Sequence, residues 1–146
     1  MLLSYLLMKL ESLMINMKTK IIYIPVDNRP AHTSWMKKFA DVANIDLIMP
    51  KYEDLGSLYK KIEPKVILDL IAGHIKDSNY IILSTDALFS GGLVQSRSGI
   101  QDFDEINEIS NELKALKALN KDIKIYAFDT LMRTTITTTN LESAHH

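Results

Sequence analysis

Three aspartates and two arginines stand just beyond short apolar runs in this chain. Residues 21–26 (IIYIPV) lead into Asp27-Asn28-Arg29, residues 80–83 into Ser84-Thr85-Asp86, and residues 123–128 into Asp129, with Arg133 one turn on. A fourth short run, 46–49 (DLIM), ends in Pro50-Lys51. A carboxylate directly after a buried strand is held by a rigid element, which suits a general base, a nucleophile or a metal ligand. An arginine beside it can hold a carboxylate or phosphate through paired hydrogen bonds. The plainer reading makes Asp27 a turn cap paired with Arg29, and Asp86 and Asp129 helix or turn caps. Both readings stand at this level. Two of these carboxyl groups about 5 Å apart would fit retaining glycoside hydrolysis, and a spacing of about 6.5–9.5 Å the inverting reaction. Two or three converging closely would suit Mg²⁺.

Other residues add to the rim. The 84–100 stretch reads as a long polar, flexible loop in which Gly91-Gly92, Ser90, Ser96 and Arg97 can cradle an anion on backbone donors. It lacks the Gly-Lys-Ser/Thr of a phosphate-binding loop and is not GxGxxG. A turn that needs positive φ is the alternative role for the glycines. His32 follows the first loop and is either an acid/base group near Asp27 or an exposed residue of a first helical turn. His74 sits on an apolar helix face and reads as structural, and His145 and His146 show no metal-site spacing. No nucleophile elbow of the G-x-S-x-G type is present.

The elements that position these groups alternate. Residues 21–26 are apolar on both sides of any period-two pattern, as in a strand buried on both faces of a parallel sheet. A helix is expected over 33–43, with Trp35, Met36, Phe39, Ala40 and Ala43 as its apolar stripe, the Trp35–Phe39 pair in the core and Asn44 as a left-handed cap. Residues 51–62 form a loop that turns at Gly56. Pro64 then opens a helix that buries Val66, Ile67, Leu70, Ile71, His74 and Ile75. Asp102 and Glu105 resemble a capping box ahead of Ile106, Ile109, Leu113, Leu116 and Leu119. Strand–helix repeated three times and closed by a strand implies an α/β fold of about four parallel strands with right-handed crossovers. The pattern reads as the first half of a β/α barrel or of a larger doubly wound sheet. A small complete four-stranded domain is the alternative.

The chain has 146 residues, 47% apolar and 24% charged, with a net charge of −1 and no cysteine. That is the composition of one ordinary globular domain. Near-zero net charge and the lack of a basic track argue against a nucleic-acid partner. No disulfide framework or thiolate metal site can form, which fits a cytoplasmic protein. No run approaches the roughly 18 apolar residues of a membrane span, and the first residues lack the pattern of a signal peptide. Residues 1–16, leucine-rich at helical spacing, read as a helix covering an exposed face or as an extension ahead of Met17. A membrane-surface helix fits less well, because its polar face lacks basic residues. Residues 17–133 are the α/β domain, partial in this reading, and 134–146 a Thr-rich tail.

Three segments carry a family resemblance. KIIYIPVDNRP (20–30), YIILSTDALFSGGLVQSR (80–97) and KIYAFDTLMR (124–133) together resemble the N-terminal region of DUF4127, a bacterial family of unknown function. Its members run a strand into a P-x-D-D/N-R-P turn, continue through S-x-D-x-L-x-x-G-G-L-x-x-S-R, and reach a strand ending in M-R. LIMP (47–50) is also in its expected place, and the similarity extends over residues 18–133. The family's proteins are much longer, so the resemblance implies an N-terminal portion whose C-terminal half lies elsewhere. It implies a site but no reaction, at Asp27, Arg29, Asp86, Gly91, Gly92, Arg97 and Arg133. Asn28 stands where many relatives have a second Asp, and TTITTT after Arg133 departs from the family pattern.

These readings converge on a polar strand-end site for a small polar or anionic, sugar-like substrate, acted on by hydrolysis. Asp27, Asp86 and Asp129 would carry the chemistry. Arg29, Arg97, Arg133 and the Gly91-Gly92 loop would hold the substrate. Any cofactor is open between Mg²⁺ and none. The alternatives are a binding module that uses a sheet edge, self-association or the leucine helix, and an inactive truncated product.

Overall fold

In the computed structural model, residues 4–6, 9, 18–98 and 102–131 are described. Most of the 1–16 segment, all of the 134–146 tail and Arg133 lie outside them. The elements are β1 (Lys20–Ile24), α1 (Ser34–Val42), β2 (Asp46–Ile48), α2 (Pro64–His74), β3 (Tyr80–Ser84), α3 (Phe103–Leu119) and β4 (Lys124–Phe128). β1 stops before Pro25, which has no N–H to give to a ladder. Asn44 has φ 55°, the left-handed cap expected of it. Pro64 sits in the first turn of α2. Asp102 caps α3 by accepting the Asp104 N–H at 2.9 Å. Among the described residues no helix is long and apolar enough to cross a membrane.

All four strands are parallel, in the order β2-β1-β3-β4. In a β/α barrel consecutive strands are neighbours around the ring. Here β1 lies between β2 and β3, so of the two larger architectures expected the sheet takes the open, doubly wound one. Right-handed crossovers then send α1 to one face and α2 and α3 to the other, and α2 packs against α3.

The core lies under α2 and α3. Ile22 and Ile24 of β1 stand in register with Ile81 and Leu83 of β3, and all four are at most 2% exposed. Ile67, Leu68, Ile71 and Ile75 close over them, with Ile109 from α3. Leu119 at the end of α3 is exposed. The opposite face is barer. Tyr80 and Tyr126 sit side by side there, ring centroids 6.2 Å apart, and Tyr126 and Phe128 are exposed.

Two expectations are corrected. Trp35 and Phe39 are not core residues: they are 55% and 63% exposed. α1 approaches the sheet through Ala40, its one buried residue. The small side chain lets the helix sit close, and the two large rings, one turn apart, are left exposed. The emission of Trp35 should therefore be that of a water-exposed indole, quenched readily by acrylamide; a blue-shifted, protected spectrum would contradict this placement. Within the described part of the 84–100 stretch, residues 84–98, the chain is not an irregular loop either. Asp86–Ser90 winds into a π-helical turn and Gln95–Ser98 into a 3₁₀ turn. Ala87 and Leu88 inside the polar stretch are at most 1% exposed and pin it to the core.

Candidate functional site

In open α/β sheets ligands bind beyond the strand carboxyl ends, where the strand order reverses. That point lies here between β1 and β3. Ile24 and Leu83 are register partners, and Asp27 and Asp86 each follow three residues later. Adjacent strands lie about 4.8 Å apart, so the turns that carry the two aspartates leave the sheet from neighbouring strands. Asp129 follows Phe128, the partner of Ser84, one strand further on. The order β2-β1-β3-β4 thus puts all three on one edge.

Asp27 is 6% exposed and fully engaged. Its Oδ2 accepts from Arg29 Nε at 2.7 Å and lies 2.6 Å from a second guanidinium nitrogen. Its Oδ1 accepts the Arg29 main-chain N–H at 3.1 Å and faces His32 Nδ1 at 2.6 Å. Burial pushes the Asp27 carboxyl up, but the hydrogen bonds from Arg29 and His32 outweigh it and hold the group below its ordinary value. An ionised carboxylate only accepts, so the proton between the two belongs to His32 Nδ1. Burial pushes the nearby Tyr23 hydroxyl up, and the Asp27 charge adds to this.

Asp86 is also 6% exposed. Its Oδ2 accepts the Thr130 N–H at 3.1 Å, and Asp129 Oδ1 accepts the same N–H at 2.9 Å. Oxygens sharing one donor in this way lie no more than about 6 Å apart, below the roughly 6.5–9.5 Å of an inverting carboxylate pair. Thr85 Oγ1 donates to the Phe128 carbonyl at 3.2 Å, tying the ends of β3 and β4 together. Thr85, Asp86, Ser90, Ser96, Asp129 and Thr130 line a cleft of about 300 Å³. Phe89 and Ile106 give it an apolar wall.

The structure thus forms two groups, Asp27–Arg29–His32 and Asp86–Asp129. Arg97 lies on the 3₁₀ turn and does not line the cleft. Arg133 is outside the described residues. Gly91 and Gly92 are buried, with φ of 85° and 136°. The Gly91 carbonyl accepts the Ile62 N–H at 2.9 Å and the Gly92 N–H donates to the Asp86 carbonyl at 2.9 Å, so this pair is built into the scaffold. Among the described residues no three His, Asp or Glu side chains stand together as metal ligands. The short spacing of His32 from Asp27, across one turn, was the signal for that pair. Nothing in the sequence marks the Thr130 N–H, which acts through its backbone.

Strand order and rim together define a parallel, doubly wound α/β domain with a polar site at its strand ends. A family model for DUF4127, a protein of unknown function, matches residues 21–146. The chain belongs to that family. No curated protein and no solved structure matches it.

Proposed function

We propose that this domain contributes a hydrolytic site for a small, hydroxyl-rich, sugar-like substrate bound in the Asp86–Asp129 cleft. The observation that carries this reading is the single Thr130 N–H shared by two carboxylates inside a cleft ringed with hydroxyls. Hydroxyls and carboxylates are the partners that a polyol satisfies, and the apolar wall suits the face of a sugar ring. Asp129, exposed where Asp86 is buried, is the carboxylate that reaches the substrate. Asp86 holds the end of β4 in place and is the second carboxylate of the pair, the acid/base partner of Asp129. The short spacing favours attack by Asp129 on the anomeric carbon, and so retention of configuration.

The test is turnover of a panel of p-nitrophenyl hexosides by the full chain, with the product anomer read by proton NMR. Retention, and a loss of at least tenfold in kcat for Asp129→Asn at unchanged melting temperature, are expected. Inversion, or full activity in the variant, would remove Asp129 from this role. No turnover of any hexoside would refute the hydrolase reading.

A further inference from the structure

The two edges of the sheet differ. β2, at one edge, is three residues long, is followed by Met49-Pro50, and has α1 packed against it. Short strands and prolines are among the means by which proteins keep an edge from pairing with another chain. β4, at the other edge, carries neither. Its five residues, KIYAF, contain no Pro or Gly, and among the described residues they pair with β3 on one side only. All but Ile125 are exposed. The Lys124 N–H donates to the Asn79 carbonyl at 3.3 Å and the Phe128 carbonyl accepts from Thr85, so the main chain of Lys124, Tyr126 and Phe128 faces β3. Strand main chain alternates in direction, and the N–H and C=O of Ile125 and Ala127 therefore point outward.

We infer that this edge pairs with β4 of a second copy of the chain, antiparallel about a twofold axis, joining two four-stranded sheets into one of eight. The strand is complementary to itself in one register. A twofold axis between identical strands passes beside a residue that stands opposite its own copy, and centring on Tyr126 is what overlaps all five residues. Ile125 of each copy then lies opposite Ala127 of the other. Those are the two residues whose N–H and C=O point outward, so the two pairs exchange four main-chain hydrogen bonds. Tyr126 meets its own copy in the closer, non-hydrogen-bonded kind of pair, with Cα atoms about 4.5 Å apart. Lys124 stands across from Phe128. The one charge on the strand, otherwise a guard against pairing, thus meets an aromatic ring that attracts it.

The faces agree with this register. Tyr126 already lies beside Tyr80, ring centroids 6.2 Å apart, so the pairing carries an aromatic row across the join on the barer face. A strand of another protein would have to bring a small apolar residue opposite Ile125 and a ring opposite Lys124; β4 brings both itself. A net charge of −1 leaves little repulsion between copies. β4 runs straight into Asp129 and Thr130, so the join also braces the strand end that carries the cleft. The inference does not depend on what the cleft does.

Sedimentation velocity of the full chain across a wide range of concentrations tests this. A monomer–dimer equilibrium is expected, with a Kd in the micromolar range for so small an interface. Amide exchange at Ile125 and Ala127 should slow in the concentrated sample. Ala127→Pro removes an outward N–H and leaves the β3 ladder alone, and Tyr126→Lys sets two like charges opposite each other. Each should raise the Kd at least tenfold, roughly, with circular dichroism of the monomer unchanged. Val42→Lys, at an exposed residue of α1, is the control for unspecific apolar contact and should leave the Kd as it is. A monomer at every concentration would overturn the inference. So would a dimer that both edge variants keep, which would put the contact elsewhere. Growth beyond two copies would overturn it as well, because a twofold contact closes on itself.

Discussion

Gly91→Ala should unfold at a clearly lower urea concentration than the wild type, a loss of about 3 kcal/mol read by circular dichroism. Two independent strains combine. Gly91 has φ 85°, a left-handed conformation that costs a residue with a Cβ about 1–2 kcal/mol. The added Cβ would also stand 2.5 Å from the Lys61 Cβ and 3.2 Å from the Ile62 carbonyl. A Cβ is fixed to its backbone, so Lys61 cannot swing its contact away as it could swing its amine. The strand of chain that must shift carries Ile62, 1% exposed and bonded to the Gly91 carbonyl. Forcing such a shift typically costs a further 1–3 kcal/mol, roughly. Gly56 closes the other side: a Cβ there would meet the Gly91 oxygen at 2.6 Å. The matched control is Gly73→Ala, in α2. Nothing lies within 4 Å of its added Cβ, so the better helix propensity of alanine should stabilise the protein by about 0.5–1 kcal/mol. A Gly91→Ala protein as stable as the wild type would mean that the glycine pair is not the packing joint described above.

Asp27→Asn should cost about 2 kcal/mol at pH 7, and the cost should vanish in acid. Charge-assisted hydrogen bonds contribute roughly 1.5–3 kcal/mol each when buried. The Arg29 side chain is 55% exposed, so its share is discounted for solvent screening. The direction with pH follows from the carboxyl being held below its ordinary value of 3.8. A group whose pKa is lower in the folded state stabilises the fold above its unfolded pKa. That stability is lost as pH falls through the folded one. Wild-type stability should therefore drop below about pH 4, and the gap between wild type and variant should close over the same range. Chemical denaturation from pH 7 to pH 2 measures both. A constant gap across that range would show that the ionised form of Asp27 is not what the fold uses.

Much of this protein was legible in one dimension. Local residue chemistry determined the strands, the helices and their caps: Pro64 opening α2, Asn44 in the left-handed region, Asp102 capping α3. Strand–helix alternation determined that the sheet is parallel, and therefore that residues after the strands share one edge. Three motifs identified the family. These features depend on neighbours a few residues apart, and such neighbours are fixed by the chain itself.

Contacts between residues distant in sequence were decided only by the tertiary structure. Periodicity marked Trp35 and Phe39 as apolar but could not say that Ala40, the smaller residue, makes the approach to the sheet. The polarity of 84–100 suggested a loop, whereas Ala87 and Leu88, buried in the core where the segment meets α2, belong to a π turn. The strand order placed β1 beside β3, and so the turns carrying Asp27 and Asp86 on neighbouring strand ends, an adjacency that no local pattern encodes. The meeting of Asp86 and Asp129 at one backbone N–H depended on that order too. The sequence by itself supplied the chemical groups and the edge of the sheet on which they stand. Which of them meet was decided by long-range packing, because burial of the apolar faces of β1 and β3 under α2 and α3 selects one strand order from several that the same local elements allow.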